Sequence, residues 1–152
     1  EMFAKPAKVG MKSPMHQDNF LWAVKNNNGL TLWVALDECD ETNGGLSYYS
    51  GSHKLGLLEH ESSFAPGTSQ KIRGKILETV SKKCKLITPK LKPGDVLVHH
   101  CLMVHGSNEN KSEKNRRGFT IQFKDKNSSY DNELLENYEK KLNQQMKLRN
   151  QI

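Results

Sequence analysis

The residues with the clearest chemical potential are His16 and Asp18, in the stretch Met15-His16-Gln17-Asp18. On an extended strand, residues i and i+2 point to the same face, so an imidazole and a carboxylate would project side by side. Such a pair is half of a metal site. His105 is the best-placed candidate to complete it, because it follows a predicted strand and precedes Gly106, where backbone and substrate can approach closely. Two histidines and one carboxylate with open coordination positions are typical of non-haem Fe(II) oxygenases.

Other histidines compete for the third ligand position, since the chain has six. His60 lies in an irregular stretch, and His99 and His100 are adjacent, so at most one of those two faces the interior of a strand. An H-x-D triplet also occurs often by chance, and a histidine near a strand end is more often a surface or hydrogen-bonded residue than a ligand. The triplet alone is therefore weak evidence for a metal.

The size of the chain limits it to one domain. Its 152 residues and 17.3 kDa suffice for a real core but are short for two domains. No apolar run approaches the ~18 residues of a membrane-spanning helix, and no secretory signal opens the sequence, so we expect no membrane contact. Cys39, Cys84 and Cys101 show no C-x-x-C spacing, which argues against a disulfide framework and favours reduced thiols in a cytoplasmic location.

The chain is basic, with a formal net charge of +6 and a pI near 9.2. Its lysines and arginines lie in short scattered groups without interleaved aromatic residues, which is not the pattern of a nucleic-acid-binding surface. Attraction of a small anionic substrate is an equally good use of positive charge. We therefore expect no nucleic-acid partner and a small-molecule substrate, with anionic molecules weakly favoured.

The elements that must position these residues are mainly short strands joined by turns. Strand-forming residues predict five strands, at 15–25, 30–36, 46–49, 96–100 and 118–123. The Asn-Gly turn at 26–29 predicts a hairpin between the first two. Residues 55–85 show weak periodicity and are predicted to form a long, mostly irregular insertion with about one helical turn, of the kind that serves as a lid or binding loop. Many short strands are typical of a sandwich or an open barrel.

The end of the chain has a different pattern. Leu134, Tyr138, Leu142 and Met146 recur every four residues among charged and amide side chains, which predicts an amphipathic helix. Its apolar stripe would pack either on the sheet or on a partner chain. A homo-oligomer is therefore one of the two expected outcomes.

Several motifs occur in order between residues 3 and 125. They are Met15-His16-Gln17-Asp18, Asn43-Gly44-Gly45-Leu46, Ser50-Gly51-Ser52-His53-Lys54, Pro93-Gly94-Asp95-Val96 and His105-Gly106-Ser107, followed by Asn110, Ser112, Arg116 and Arg117. In this order they resemble the phytanoyl-CoA dioxygenase family. The resemblance implies a mainly β, double-stranded β-helix (jelly-roll, cupin-like) core at 1–125, lacking its N-terminal part, and a C-terminal helical tail at 126–152.

The resemblance also assigns roles to individual residues. His16, Asp18 and His105 match the ligands of Fe(II). The cosubstrate 2-oxoglutarate would be bound by four further residues, with Arg116 gripping its distal carboxylate, Ser107 offering a hydroxyl nearby, and Trp33 and Gln17 lining the pocket. No catalytic residue is implied beyond the metal ligands.

The choice between Arg116 and Arg117 follows from strand alternation. Arg117 shares a face with Phe119 and Ile121, whereas Arg116 shares one with polar residues. A polar interior around a cosubstrate favours Arg116, and so does the family spacing. A planar guanidinium suits the role because it donates two parallel hydrogen bonds to a carboxylate.

The function implied by the resemblance is hydroxylation of a small molecule by an Fe(II)- and 2-oxoglutarate-dependent dioxygenase, with release of succinate and CO2. The carboxylate of Asp18 favours hydroxylation over halogenation, since a small residue there would open a halide site. Two alternatives stay open. One is a jelly-roll that binds a metal or ligand without redox chemistry, and the other is a cupin-like metal enzyme that would have no use for Arg116.

Overall fold

The computed structural model describes residues 1–65 and 69–149, and the last three residues of the predicted tail lie outside these ranges. Ten strands are present among the described residues: β1 Met2–Lys5, β2 Ser13–His16, β3 Gly29–Ala35, β4 Leu46–Tyr49, β5 His60–Ser62, β6 Gln70–Ile72, β7 Leu86–Ile87, β8 Val96–His100, β9 His105–Ser107 and β10 Arg116–Lys124. The helices are α1 Asp18–Trp22, α2 Gly74–Lys83 and α3 Asn132–Arg149, with a 3₁₀ turn at Ser52–Leu55.

Two four-stranded antiparallel sheets form the body of the domain. The first has the strand order β1-β10-β3-β8, and the second has the order β2-β9-β4-β7. Strands β5 and β6 pair separately as a hairpin. Neighbouring strands are mostly distant in sequence, which is typical of a jelly-roll and confirms the predicted mainly β fold.

The first sheet has one buried face and one exposed face, as period-2 alternation requires. On β3, Thr31, Trp33 and Ala35 point inward, and on β10 the inward residues include Arg116 and Thr120. The opposite side carries six large apolar residues that are 39–59% exposed, and we call it the outer apolar face: Leu30, Val96, Val98, Phe119, Ile121 and Phe123.

The predicted strand at 15–25 and the predicted hairpin are both wrong. The strand ends at His16, Gln17 is still extended, and α1 then begins at Asp18 and ends before Ala23, whose φ of +52° terminates it. The turn that follows leads into β3, which pairs with β10 and β8 rather than with the preceding segment. The apolar residues of α1 are buried on a single short helical turn, which strand propensity alone does not reveal.

The insertion at 55–85 is more regular than predicted. It contains β5, β6 and the ten-residue helix α2, whose Val80 packs with Ile72 and Val104 in a small core of its own. The insertion therefore adds a separate hydrophobic cluster beside the two sheets.

The helix predicted in the tail is confirmed as α3. It packs back on the β5–β6 hairpin, where Gln145 donates to the carbonyl oxygens of Ser63 (2.6 Å) and Ser69 (2.9 Å). Lys141 donates to the carbonyl oxygen of His60. The helix is thus fixed by polar anchors, while Leu134, Tyr138 and Leu142 of its apolar stripe are half-buried and Met146 is exposed. None of the helices in the described ranges combines the length and hydropathy needed to cross a bilayer.

Candidate active site

The three predicted metal ligands converge at one place. His16 ends β2 and His105 begins β9, and the two are direct partners in the pairing of these strands. Asp18 follows as the first residue of α1. One ligand atom from each side chain lies within 4.8 Å of the others, and Oδ1 of Asp18 is 3.8 Å from Nε2 of His16 and 3.6 Å from Nε2 of His105. Atoms bound about 2.1 Å from one ion are about 3–4 Å apart, so the three side chains fit a metal ion.

Both histidines present Nε2 to this centre because Nδ1 is used elsewhere. Nδ1 of His16 lies 2.9 Å from the carbonyl oxygen of Pro14, and Nδ1 of His105 lies 2.9 Å from that of Met103. A carbonyl oxygen only accepts, so each Nδ1 carries the proton and each Nε2 keeps its lone pair. Such a hydrogen bond orients the ring and is the usual support of a metal-binding histidine.

Burial also sets the protonation states that a metal requires. Loss of contact with water lowers the pKa of His16 to about 4, and His105 adds to the effect. Burial likewise lowers the pKa of His105. For Asp18, burial by itself raises the pKa, but His105, a hydrogen bond from His99 and the nearby His16 together hold it well below its usual value. Neutral imidazoles beside an ionised carboxylate are the metal-binding forms of these groups.

A cavity of about 430 Å³ lies between the two sheets, and the metal centre forms part of its wall. Residues of β1, β3, β8 and β10 line it from the first sheet, and residues of β2, β4 and β9 line it from the second. This volume falls within the range of small-molecule sites. A ligand in the cavity would therefore contact the metal centre directly.

Arg116 is the second charged feature of this cavity. Its side chain is 3% exposed, and its Nε donates to the carbonyl oxygen of Gly44 over 3.1 Å. The guanidinium carbon lies 5.6 Å from the ring centre of Trp33. Within 1–65 and 69–149, no carboxylate forms an ion pair with it. Because a buried charge is costly without a counter-charge, this position suits an anion bound from outside.

The alternation argument for the two arginines is confirmed. Arg116 points into the cavity, whereas Arg117 lies on the exposed side of β10. The guanidinium of Arg117 donates to both carboxylate oxygens of Asp37, over 2.9 and 2.7 Å. Because Arg117 is already paired with Asp37, Arg116 is the one of these two arginines that is available to a ligand.

Two more of the predicted pocket residues lie in the cavity wall. Ser107 is buried on β9, beside the metal centre, and Trp33 is buried on β3. The indole of Trp33 lies directly over Gly118, where an added Cβ would approach Cζ2 to 2.0 Å. Only a glycine at that position allows the ring to occupy this place beneath Arg116.

Gln17 is not brought together with the other predicted residues. It lies between two metal ligands in sequence, but its side chain is fully buried and is not part of the cavity wall. Its amide nitrogen donates to the carbonyl oxygens of Gly56 and Leu102, and its amide oxygen accepts from the backbone of Leu58. Gln17 thus fastens the 56–58 loop behind the metal centre instead of facing a ligand.

Two further polar residues of the cavity wall were given no role from the sequence. His99 lies on the cavity wall with Nε2 3.2 Å from Oδ2 of Asp18. Lys5, the direct partner of Arg116 across β1 and β10, is 6% exposed and donates to the carbonyl oxygens of Met11 and Asn108. Burial and the nearby Arg116 lower the pKa of Lys5 to about 8. Alternation on 96–100 allowed His99 to face inward, but only the strand pairing shows what it faces.

Comparison with known proteins places this site in a family context. The sequence profile of phytanoyl-CoA dioxygenase (PhyH) matches residues 1–118. Peroxisomal phytanoyl-CoA dioxygenase from Bos taurus is 29% identical over 131 residues, which are 83% of this chain and 38% of the relative. 1-Deoxypentalenic acid 11-beta-hydroxylase from Streptomyces exfoliatus is 32% identical over 110 residues, which are 72% of this chain and 38% of that protein. The chain spans about two fifths of the length of these relatives.

Solved structures show the same architecture. The apo form of the non-heme monooxygenase ThoJ superposes with a TM-score of 0.69 at 27% identity, covering 86% of this chain and 46% of that one. EctD from S. alaskensis, solved with 2-oxoglutarate and 5-hydroxyectoine, has a TM-score of 0.69 at 23% identity and covers 86% and 44%. The second likeness concerns the fold alone, and together they agree with the predicted double-stranded β-helix.

Proposed function

Because the chain belongs to the phytanoyl-CoA dioxygenase family, we propose that it forms the catalytic core of an Fe(II)- and 2-oxoglutarate-dependent dioxygenase that hydroxylates a small molecule. One observation carries this proposal: the cavity that contains His16, Asp18 and His105 also contains the buried guanidinium of Arg116. The first group suits a divalent metal, and the second suits a carboxylate of the cosubstrate.

In this proposal each residue has a defined task. His16 and His105 bind the iron through Nε2, and Asp18 binds it through Oδ1. Arg116 donates to the distal carboxylate of 2-oxoglutarate, Ser107 offers its hydroxyl from the same cavity wall, and Trp33 supports the guanidinium. When bound, the iron and its cosubstrate supply the oxidation, in which O2 converts 2-oxoglutarate to succinate and CO2 and a substrate C–H bond to a hydroxyl group.

The protein contributes orientation and exclusion of water. His16, Asp18 and His105 would hold the ion as three protein ligands, and further coordination positions would then be available to ligands in the cavity. Burial of Arg116 between the sheets reduces screening by water and so strengthens its interaction with a bound carboxylate. With Arg116 bound to the cosubstrate, Lys5 is a second cation in the cavity wall and supports the further proposal that the substrate is itself a small anion.

The proposal is tested by anaerobic titration of the full chain with Fe(II) and 2-oxoglutarate. We expect the weak visible charge-transfer band of the iron–2-oxoglutarate chelate, and we expect His16→Ala to abolish it because one of three ligands is gone. Succinate release can then be screened with small carboxylates and their neutral esters. A folded chain that binds iron but gives no band would favour the non-redox binding protein instead.

A further inference from the structure

The second oxygen of Asp18 is held by two residues from the first sheet. Thr31 and His99 are direct partners across β3 and β8, so their side chains point to the same face. The hydroxyl of Thr31 donates to Oδ2 of Asp18 over 2.7 Å, and Nε2 of His99 lies 3.2 Å from the same atom. Oδ1 is the oxygen nearest the other two ligands. Oδ1 of Asp18 thus faces the metal centre, and Oδ2 is held by Thr31 and His99.

We propose that His99 is a positioning residue that fixes Asp18 as a monodentate metal ligand. The inference rests on the proposed metal site, but it concerns a residue with no role in that proposal so far. His99 would act through Asp18 and would not touch the metal. Thr31 contributes the other half of the same restraint.

The hydrogen bonds around His99 determine which of its nitrogens carries the proton. The hydroxyl of Tyr48 lies 3.3 Å from Nδ1 of His99, in a buried environment. Oδ2 of Asp18 is an ionised oxygen that only accepts, so Nε2 of His99 must be the donor there. Nδ1 then accepts from the hydroxyl of Tyr48. This arrangement directs an N–H, rather than a lone pair, toward the metal centre.

The position of His99 is also rigid. The side chain is 5% exposed, and its ring contacts those of Tyr48 (centroids 5.3 Å apart) and His105 (4.4 Å apart). It is not a member of the group of ligand atoms that lie within 4.8 Å of one another, which contains His16, Asp18 and His105. Its absence from that group indicates that His99 supports Asp18 and is not a fourth metal ligand.

The restraint matters because a carboxylate can bind a metal through one oxygen or two. With Oδ2 released, Asp18 could turn and chelate the ion through both oxygens. A six-coordinate ion held by three protein atoms keeps three positions for other ligands, and a bidentate Asp18 would take one of them away. Holding Oδ2 therefore protects both the affinity for the metal and the room for the cosubstrate.

The test uses Co(II) in place of Fe(II), because the visible absorption of Co(II) reports its coordination number and requires no turnover. His99→Phe keeps the volume and removes the donor. We expect it to weaken Co(II) binding about 10- to 100-fold, to change the visible spectrum, and to weaken 2-oxoglutarate binding to the Co(II)-loaded chain. His99→Gln retains an N–H donor and should restore most of the affinity and the spectrum.

Two further variants serve as a control and a second probe. His100→Phe changes the neighbouring histidine, which is half-exposed on the other side of β8, and should leave the spectrum unchanged. Thr31→Val removes the second donor to Oδ2 and should shift the spectrum in the same direction as His99→Phe. If urea unfolding shows that His99→Phe does not fold, the Co(II) affinity and spectrum of Thr31→Val and His99→Gln are compared with wild type instead.

The outcomes separate this inference from the proposed function. Wild-type affinity and spectrum in His99→Phe, or in Thr31→Val when that variant carries the test, would overturn the positioning role while leaving the proposed function intact. Equal losses in His99→Phe and His99→Gln, with an altered count of bound imidazoles, would show a fourth ligand and also overturn it. If the wild-type chain binds neither Co(II) nor 2-oxoglutarate, both the proposed function and this inference fail.

Discussion

At the scale of single residues, buried charges and buried neutral imidazoles define the site. Arg116 and Arg117 are adjacent in sequence, yet Arg116 faces the cavity with no ion-pair partner among the described residues, whereas Arg117 is paired with Asp37 on the surface. The pair therefore provides its own matched comparison. The affinity for a carboxylate ligand should fall when Arg116 is replaced and should not change when Arg117 is replaced.

We accordingly expect Arg116→Ala to weaken 2-oxoglutarate binding about 10- to 100-fold, since it removes charge-assisted hydrogen bonds worth about 1.5–3 kcal/mol. Arg117→Ala should leave the affinity within error of wild type. Calorimetric titration of the metal-loaded chain measures both. Equal affinities in the two variants would contradict the assignment of Arg116.

A pH dependence follows from His60, which lies behind the site. The pKa of His60 is lowered to about 4, mainly by burial. A hydrogen bond to the carbonyl oxygen of Leu58 raises it in part, and the nearby His16 and Lys141 lower it further. Its ring stacks on Phe20. Because the folded-state pKa lies below the unfolded value of about 6.5, the stability that His60 contributes is complete above pH 6.5 and is lost as the pH falls toward 4.

Urea unfolding of the metal-free chain at about pH 7, 6 and 5 measures this effect. The free energy of unfolding should fall with acidification, and His60→Gln should reduce the slope by up to about 1.4 kcal/mol per pH unit, the value for one proton. The pH dependence that remains in His60→Gln should come from the buried His16 and His105, whose pKa values are also lowered. A slope unchanged by His60→Gln would show that His60 is already protonated in the folded chain.

Residue-level prediction worked where strand alternation alone decided the outcome. It placed Arg116 inside and Arg117 outside. The three metal ligands also meet as expected, although Asp18 is the first residue of α1 and not part of the predicted strand. It did not extend to Gln17, whose partners are the backbone groups of 56–58 and 102, or to His99, whose partner Thr31 is on another strand. Those environments depend on contacts between distant segments, which a local pattern does not contain.

At the scale of elements, α3 acts as a brace on the β5–β6 hairpin. Gln145 is its main anchor, because its buried amide nitrogen donates to two carbonyl oxygens in that hairpin. The hairpin in turn holds His60, which accepts from the backbone N–H of Gln17 between two of the metal ligands. The tail helix is thereby connected to the site through one chain of hydrogen bonds.

Gln145→Ala should lower the free energy of unfolding by about 1–3 kcal/mol, since two buried carbonyl oxygens lose their donor. Gln144→Ala, at the exposed neighbouring position, is the matched control and should change stability by less than about 0.5 kcal/mol. Urea unfolding gives both values. If Gln145→Ala leaves the free energy of unfolding unchanged, α3 does not stabilise the hairpin in solution.

Element prediction succeeded for strands with regular alternation and for the helix with a four-residue repeat. It failed at 15–25, where Phe20, Leu21 and Trp22 have strand propensity but are packed as one helical turn. It also underestimated 55–85, although Ile76, Leu77 and Val80 have the spacing of an amphipathic helix and pack together in the structure. Tertiary packing overrode local propensity at 15–25, whereas the helical pattern of α2 was present in the sequence.

At the scale of the whole molecule, the two faces of the first sheet differ in role. The inner face forms the cavity wall, while the outer apolar face presents six large apolar side chains to the surroundings. Exposed apolar surface of this kind is unusual in a monomer. The predicted homo-oligomer, the division at residue 125 and the cytoplasmic location stay predictions.

We expect the outer apolar face to bind the dye ANS. Ile121→Lys together with Val96→Lys should reduce ANS fluorescence, because two charges would interrupt the face. The affinity for Co(II) should be unchanged, since these side chains point away from the cavity. Unaltered ANS fluorescence would locate the dye elsewhere, and a changed Co(II) affinity would show that the sheet itself had been disturbed.

The pairing of β2 with β9 has a consequence for folding. His16 and His105 are roughly ninety residues apart in sequence, and they meet only after this long-range pairing is complete. The unfolded chain therefore offers no preformed site, and an ion that binds only the native chain stabilises it by about 2.7 kcal/mol at a concentration a hundred times its Kd. In a chain whose described thiols are all free, the ion would act as a removable crosslink. A chelator would cut that crosslink and speed unfolding without breaking a covalent bond.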